Sequence, residues 1–146
     1  MMTPLLTRRL ASLGALPFIA CAILSLAGIT DLPFLGDPAM VEALYGLTIA
    51  SFMAGVHWGT ALNRDRHLPV NLFITSNIVA VAAWVSVLLA GPGLALVALS
   101  ILFAYLLFID HRLFRLEVID RPYWQTRLWI TAIVIACLVV TAATRF

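Results

Sequence analysis

The chain has 146 residues, of which 63% are hydrophobic and 11% charged, with a formal net charge of +2. A soluble domain is just under half apolar and about a quarter charged, and one this short has too little interior to hide the excess, so lipid must take it up. The length allows one domain, residues 1–146, and arginines that flank apolar runs instead of forming a basic patch exclude nucleic acid as a partner.

A membrane span needs about 20 apolar residues at about 1.5 Å rise each to cross roughly 30 Å of hydrocarbon. The first is expected over residues 10–29, preceded by Arg8 and Arg9 and interrupted by Pro17. Ser25-Leu26-Ala27 offers a small-x-small cleavage site, but the apolar stretch is long for a signal core, which argues for a retained span. The second is expected over 41–62, after a helix-start signal at Asp37-Pro38. Asp31, Asp37 and Glu42 then read as solvated loop charges. The third is expected over 69–90. Gly91-Pro92-Gly93 is a tight break, so the fourth starts near Leu94 and continues into Asp110-His111-Arg112, over 94–112.

Residues 112–121 interleave Leu113, Phe114, Leu116, Val118 and Ile119 with arginines, and place Glu117 and Arg121 at i,i+4. They read as a short interfacial helix or an extension of the fourth span, stopped by Pro122. Tyr123, Trp124 and Trp129 form an aromatic belt before the last span, over 128–144. The fold class is therefore all-α: a polytopic bundle of five transmembrane helices.

All nine fixed positive charges are arginines. With five spans, Arg8, Arg9, Arg64, Arg66, Arg112, Arg115, Arg121 and Arg127 fall on one side and Arg145 alone on the other. The positive-inside rule then places the N-terminus in the cytoplasm and the C-terminus outside. Cys21 and Cys137 sit inside apolar runs and read as buried free thiols.

Ser51, Gly55 and Gly59 recur every four residues in the second span, a stripe that lets a neighbouring helix approach closely. His57 points about half a turn away, on a face with Gly46, Ala50, Thr60 and Ala61. Both faces are small, so this helix is expected to be central. His57 is the one ionisable residue well inside a span, which makes it a functional candidate. The third span places Thr75, Ser76 and Asn77 at its depth, and a His57–Asn77–Ser76–Thr75 polar cluster is expected. That cluster either locks helices together, handles a proton or solute, or ligates haem or a metal. The last lacks a second intramembrane histidine, since His67 and His111 lie at the interface. Asp110, His111, Arg112, Trp124 and Arg127 form a charged interfacial set in which Arg127 is a natural partner for Asp110. Asn63 and Asn71 read as helix-end residues.

The segment Tyr45…Ser51-Phe52-x-x-Gly55-Val56-His57-Trp58-Gly59 resembles the signature of a family of small uncharacterised bacterial inner-membrane proteins, similar to the human mitochondrial protein called transmembrane protein sixty-nine. Leu13-Gly14-x-x-Pro17-Phe18, Tyr105-x-x-x-x-Asp110-x-Arg112 and Pro122-Tyr123-Trp124-x-x-Arg127-Leu128 support the likeness, with Tyr123-Trp124 in swapped order. The resemblance spans nearly the whole chain. It implies the five-helix plan and a multi-pass place in the bacterial inner membrane, with no assigned activity.

No phosphate-cradling glycine loop, HExxH motif or nucleophile beside a base is present. Neither catalytic residues, a metal nor a cofactor is assigned. The function expected is a non-catalytic accessory, scaffold or assembly factor of a larger membrane complex, with the bilayer and other integral membrane proteins as partners. The alternatives are a small transporter or channel using His57 and Asn77, and a haem- or quinone-binding membrane protein.

Overall fold

A computed structural model describes residues 4–63 and 71–146, with side chains from Arg9 onward. Arg64, Arg66, His67, the side chain of Arg8 and the expected start of the third span at residue 69 lie outside the described residues. The order is α1 (Pro4–Leu13), α2 (Leu16–Leu26), α3 (Pro38–Leu62), α4 (Leu72–Leu89), α5 (Pro92–Arg115) and α6 (Arg121–Ala143). Five stretches are long and apolar enough to cross a membrane, the first running Arg9–Leu26 through the α1–α2 break.

That break follows from Pro17, which cannot donate to the Leu13 carbonyl and whose ring would clash with it. α1 accordingly ends at Leu13, and Pro17 becomes the second residue of α2. At the break, the Tyr45 hydroxyl donates to the Gly14 carbonyl at 3.0 Å, and the Tyr45 ring packs on Phe18 with centroids 5.0 Å apart.

Two helices end by the same left-handed device. After α2, Gly28 takes φ 74°, with Ile29 N–H on the Leu24 carbonyl at 3.0 Å and Gly28 N–H on the Ser25 carbonyl at 3.1 Å. After α5, Glu117 takes φ 55°, with Val118 N–H on the Leu113 carbonyl at 2.9 Å and Glu117 N–H on the Phe114 carbonyl at 3.0 Å. This closes α5 at Arg115, so of the two readings of residues 112–121 the fourth span is extended as far as Arg115 and a separate interfacial helix does not form. The chain instead turns through residues 116–119, and Asp120 caps α6 by accepting from Tyr123 N–H at 3.2 Å. Pro122 thus opens α6 instead of stopping a preceding helix. The last span begins at Arg121, not Leu128, and takes Tyr123 and Trp124 into its first turn. At the other end of α5, Gly91 is the cap and Pro92 the first helical residue, ahead of the start expected near Leu94.

α3 is central, packing on α2, α4 and α5 and touching α6, while α6 closes the ring against α5 and α2. Its buried face is Ala39, Glu42, Ala43, Gly46, Ala50, Ala54 and His57. At Gly46 an added Cβ would lie 3.1 Å from Leu99 Cδ1, 3.6 Å from Phe18 Cε1 and 3.9 Å from Leu138 Cδ2, so helices α2, α5 and α6 converge there. The stripe expected to pack, Ser51-Gly55-Gly59, turns the other way: a Cβ at Gly55 or Gly59 would meet nothing within 4 Å among the described residues. The reason is angular, because Gly55 is about half a turn from the Gly46–Ala50–His57 face that α5 occupies.

Candidate functional site

Asp110 stands five residues before the end of α5, and His57 five residues before the end of α3. The N-termini of both helices lie beside Arg145, through Asp37 and Gly93, so α3 and α5 run parallel and the two side chains meet at one depth. His57 Nε2 and Asp110 Oδ1 are 2.8 Å apart. From α6, Arg127 Nε donates to Asp110 Oδ2 at 2.7 Å. Arg127 is therefore the partner that the sequence suggested for Asp110. His57 is 2% exposed and Asp110 1%. Both carboxylate oxygens are thus satisfied by charge-assisted or ring N–H donors, which is what makes burial of this charge tolerable.

An ionised carboxylate only accepts, so His57 Nε2 must carry the hydrogen in this pair. That leaves Nδ1 as the free ring nitrogen, and it is buried without a partner among the described residues. His57 lines a cleft of about 380 Å³ with Asp110, Thr60, Tyr123 and Asp120, walled by Val56, Leu113, Val118 and Ile119. Thr60 is occupied with its own helix, donating to the Val56 carbonyl at 2.9 Å. Leu72, Ile109, Leu113 and Val118 form an apolar cluster, of which Leu113 and Val118 line the same cleft.

The expected cluster of His57 with Asn77, Ser76 and Thr75 is not assembled. Asn77 is exposed and donates to the Phe73 carbonyl at 2.7 Å. Ser76 bonds the Phe73 carbonyl at 3.1 Å and Thr75 the Asn71 carbonyl at 3.2 Å. These residues have the right depth but spend their donors on α4 itself, whose buried face is Leu72, Ser76, Val79 and Ala83. Asp110 takes the role assigned to them.

The rest of the interfacial set stays outside the pair. His111 and Arg112 are exposed on the other side of α5. His111 packs on Trp124 at 5.2 Å, Phe114 stacks on Trp124 at 5.7 Å, and Arg112 lies 5.5 Å over Phe108. At the opposite end, Asp37 caps α3 by accepting from Ala39 N–H at 2.9 Å and pairs with Arg145. Glu42 departs from the expectation of a solvated loop charge: it lies inside α3, 0% exposed. Among the described residues, no group of three or more His, Cys, Asp or Glu side chains is placed to hold a metal ion.

Five apolar helices closed around one core, with charge gathered at their ends, define a polytopic α-helical membrane protein. The chain belongs to a family of proteins of unknown function, DUF3429, whose model matches residues 3–143. No curated protein and no solved structure matches it.

Proposed function

We propose that the protein is a non-catalytic accessory component of a bacterial inner membrane that works by binding at its arginine-rich end. In this reading that end faces the cytoplasm. The observation that carries the reading is the cleft that ends blind on His57, whose Nδ1 is buried and unpartnered. Beyond His57 the bundle is closed by Ala50, Leu99, Phe103 and Leu106, each 2% exposed or less. A blind cleft with one unmet polar group suits a docked group better than a passing solute. The open Ser51-Gly55-Gly59 face adds a surface on which a partner helix can approach closely.

The test is purification of the full chain in mild detergent, with mass spectrometry of what accompanies it. A stoichiometric membrane partner is expected with the wild type and lost with His57→Ala. A monodisperse, partner-free protein overturns the proposal.

A small transporter is the second reading, favoured by two ionisable side chains, His57 and Glu42, buried in opposite halves of α3. It requires the core between them to open, and it predicts proteoliposome flux that His57→Ala abolishes. Absence of flux for protons and small ions removes it.

A further inference from the structure

At the end opposite the cleft, three buried side chains carry oxygens for which the accessory reading has no role. Glu42 is 0% exposed, Thr141 0% and Ser25 6%. Among the described residues, neither Glu42 carboxyl oxygen has a hydrogen-bond partner, nor does Ser25 Oγ or Thr141 Oγ1. They come from three helices: Ser25 from the last turn of α2, Glu42 from the second turn of α3, Thr141 from the last turn of α6. α2 packs on both α3 and α6, so these helix ends adjoin. Thr141 faces the Glu42 carboxyl, short of a formed hydrogen bond. Cys21, one turn from Ser25 on the same buried face, lies within electrostatic reach of Glu42, as does Cys137, one turn from Thr141. The charged groups beside the cluster, Asp37 and Arg145, are engaged with each other.

We propose that Glu42, Ser25 and Thr141 form a binding site for a hard monovalent cation, of which Na⁺ is the type, inside the membrane-embedded bundle. A bare carboxylate in apolar surroundings must be neutralised, and the guanidinium of the nearby Arg145 is paired with Asp37 through Nη2, its Nε having no partner among the described residues. A proton on Glu42 removes the charge, and the Ser25 and Thr141 hydroxyls can themselves donate, but no such bond is formed and four oxygens lack a partner among the described residues. A cation is shared by all four. Carboxylate and hydroxyl oxygens select hard ions, and the neighbouring thiols, soft ligands, lend no competing set. One carboxylate balances one positive charge, while a divalent ion would leave a net charge in the apolar interior.

The experiment uses the full-length protein in detergent at about pH 8, where protons compete least with the cation for a carboxylate. The unfolding midpoint is followed against NaCl, with choline chloride holding ionic strength. A saturable rise with Na⁺ and none with choline is expected. Glu42→Gln is expected to abolish the rise. Thr141→Val, which keeps the carboxylate and the side-chain shape, is expected to raise the half-saturating Na⁺ about tenfold. Equal midpoints in the two salts, or a sodium response kept by Glu42→Gln, overturn the site. So does a midpoint that follows pH through Glu42 and ignores Na⁺, which assigns these oxygens to a proton alone.

Discussion

Removing the Asp110 carboxylate is the most informative single perturbation of the bundle. It strands two donors at once, Arg127 Nε at 2.7 Å and His57 Nε2 at 2.8 Å. Breaking a buried charge pair from one side costs about 3–5 kcal/mol, because the remaining charge stays buried without compensation. Asp110→Ala is therefore expected to lower stability by about that amount. His57→Ala should cost about 2–3 kcal/mol, one bond to a charged group, since Asp110 keeps Arg127. In the double variant the His57–Asp110 bond can be lost only once. Coupling of about 1.5–3 kcal/mol is thus expected, the worth of a hydrogen bond to a charge. Neutral interhelical bonds in membranes average only about 0.6 kcal/mol by the same kind of cycle, which sets the comparison. Reversible unfolding in mixed micelles, followed by far-ultraviolet circular dichroism, reads all four proteins of the cycle. Coupling at or below about 0.6 kcal/mol would mean that the carboxylate holds Arg127 alone and that His57 is a bystander.

Three further outcomes follow from the packing and the chain ends. Gly46→Val should cost about 1–3 kcal/mol by overpacking against Leu99, 3.1 Å from the new Cβ, whereas Gly55→Ala, in open space, should stay within about 0.5 kcal/mol; chemical denaturation midpoints compare the two. Glu117→Gly should stabilise the α5–α6 turn by about 1 kcal/mol, because glycine adopts the φ of 55° without strain; a falling midpoint would contradict the left-handed cap. An alkaline phosphatase fused after Phe146 should be active in a bacterial host, since that enzyme folds only outside the cytoplasm; an inactive fusion with an active one at residue 117 would invert the orientation drawn from the arginines.

The number and order of spans were legible because lipid imposes a length that apolar runs must meet. Their ends were harder, and the errors share a cause. Prolines 17, 38, 92 and 122 all occupy the first or second position of a helix, where the missing N–H costs nothing. Reading Pro122 as a stop, and not as an opening residue, delays α6 by about two turns. Ending the fourth span near Arg112 also kept Asp110 at the interface. With α5 extended to Arg115, Asp110 moves more than one turn inward, to the depth of His57. Counting back from both helix ends would have paired them, given that α3 and α5 are parallel. Thr75, Ser76 and Asn77 match His57 in depth, and depth says nothing about which face of α4 meets α3. Glu42 was misjudged for a related reason. Asp37-Pro38 marks the helix entry in the sequence, but only the register with Ala39, Ala43 and Gly46 shows that Glu42 lies on the buried face and not with the loop charges.

The small side chains of α3 and its two buried ionisable groups belong to one physical argument. A glycine at 46 and alanines at 43, 50 and 54 let α5 and α6 come close enough that Leu99 Cδ1 reaches within 3.1 Å of a Cβ at position 46. That proximity lets two short side chains, His57 and Asp110, close a 2.8 Å bond between backbones of different helices. A larger residue at 46 would push α5 outward and lengthen the His57–Asp110 contact about three turns away, so steric and polar defects on this face should be coupled and not additive. The Ser51-Gly55-Gly59 stripe has no such duty inside the chain. Glycines in a helix interior cost about 1 kcal/mol each relative to alanine, and at Gly55 and Gly59 no neighbour within the bundle requires them. What they permit is close approach from outside, which is the property an accessory membrane protein needs on the face it offers to another helix.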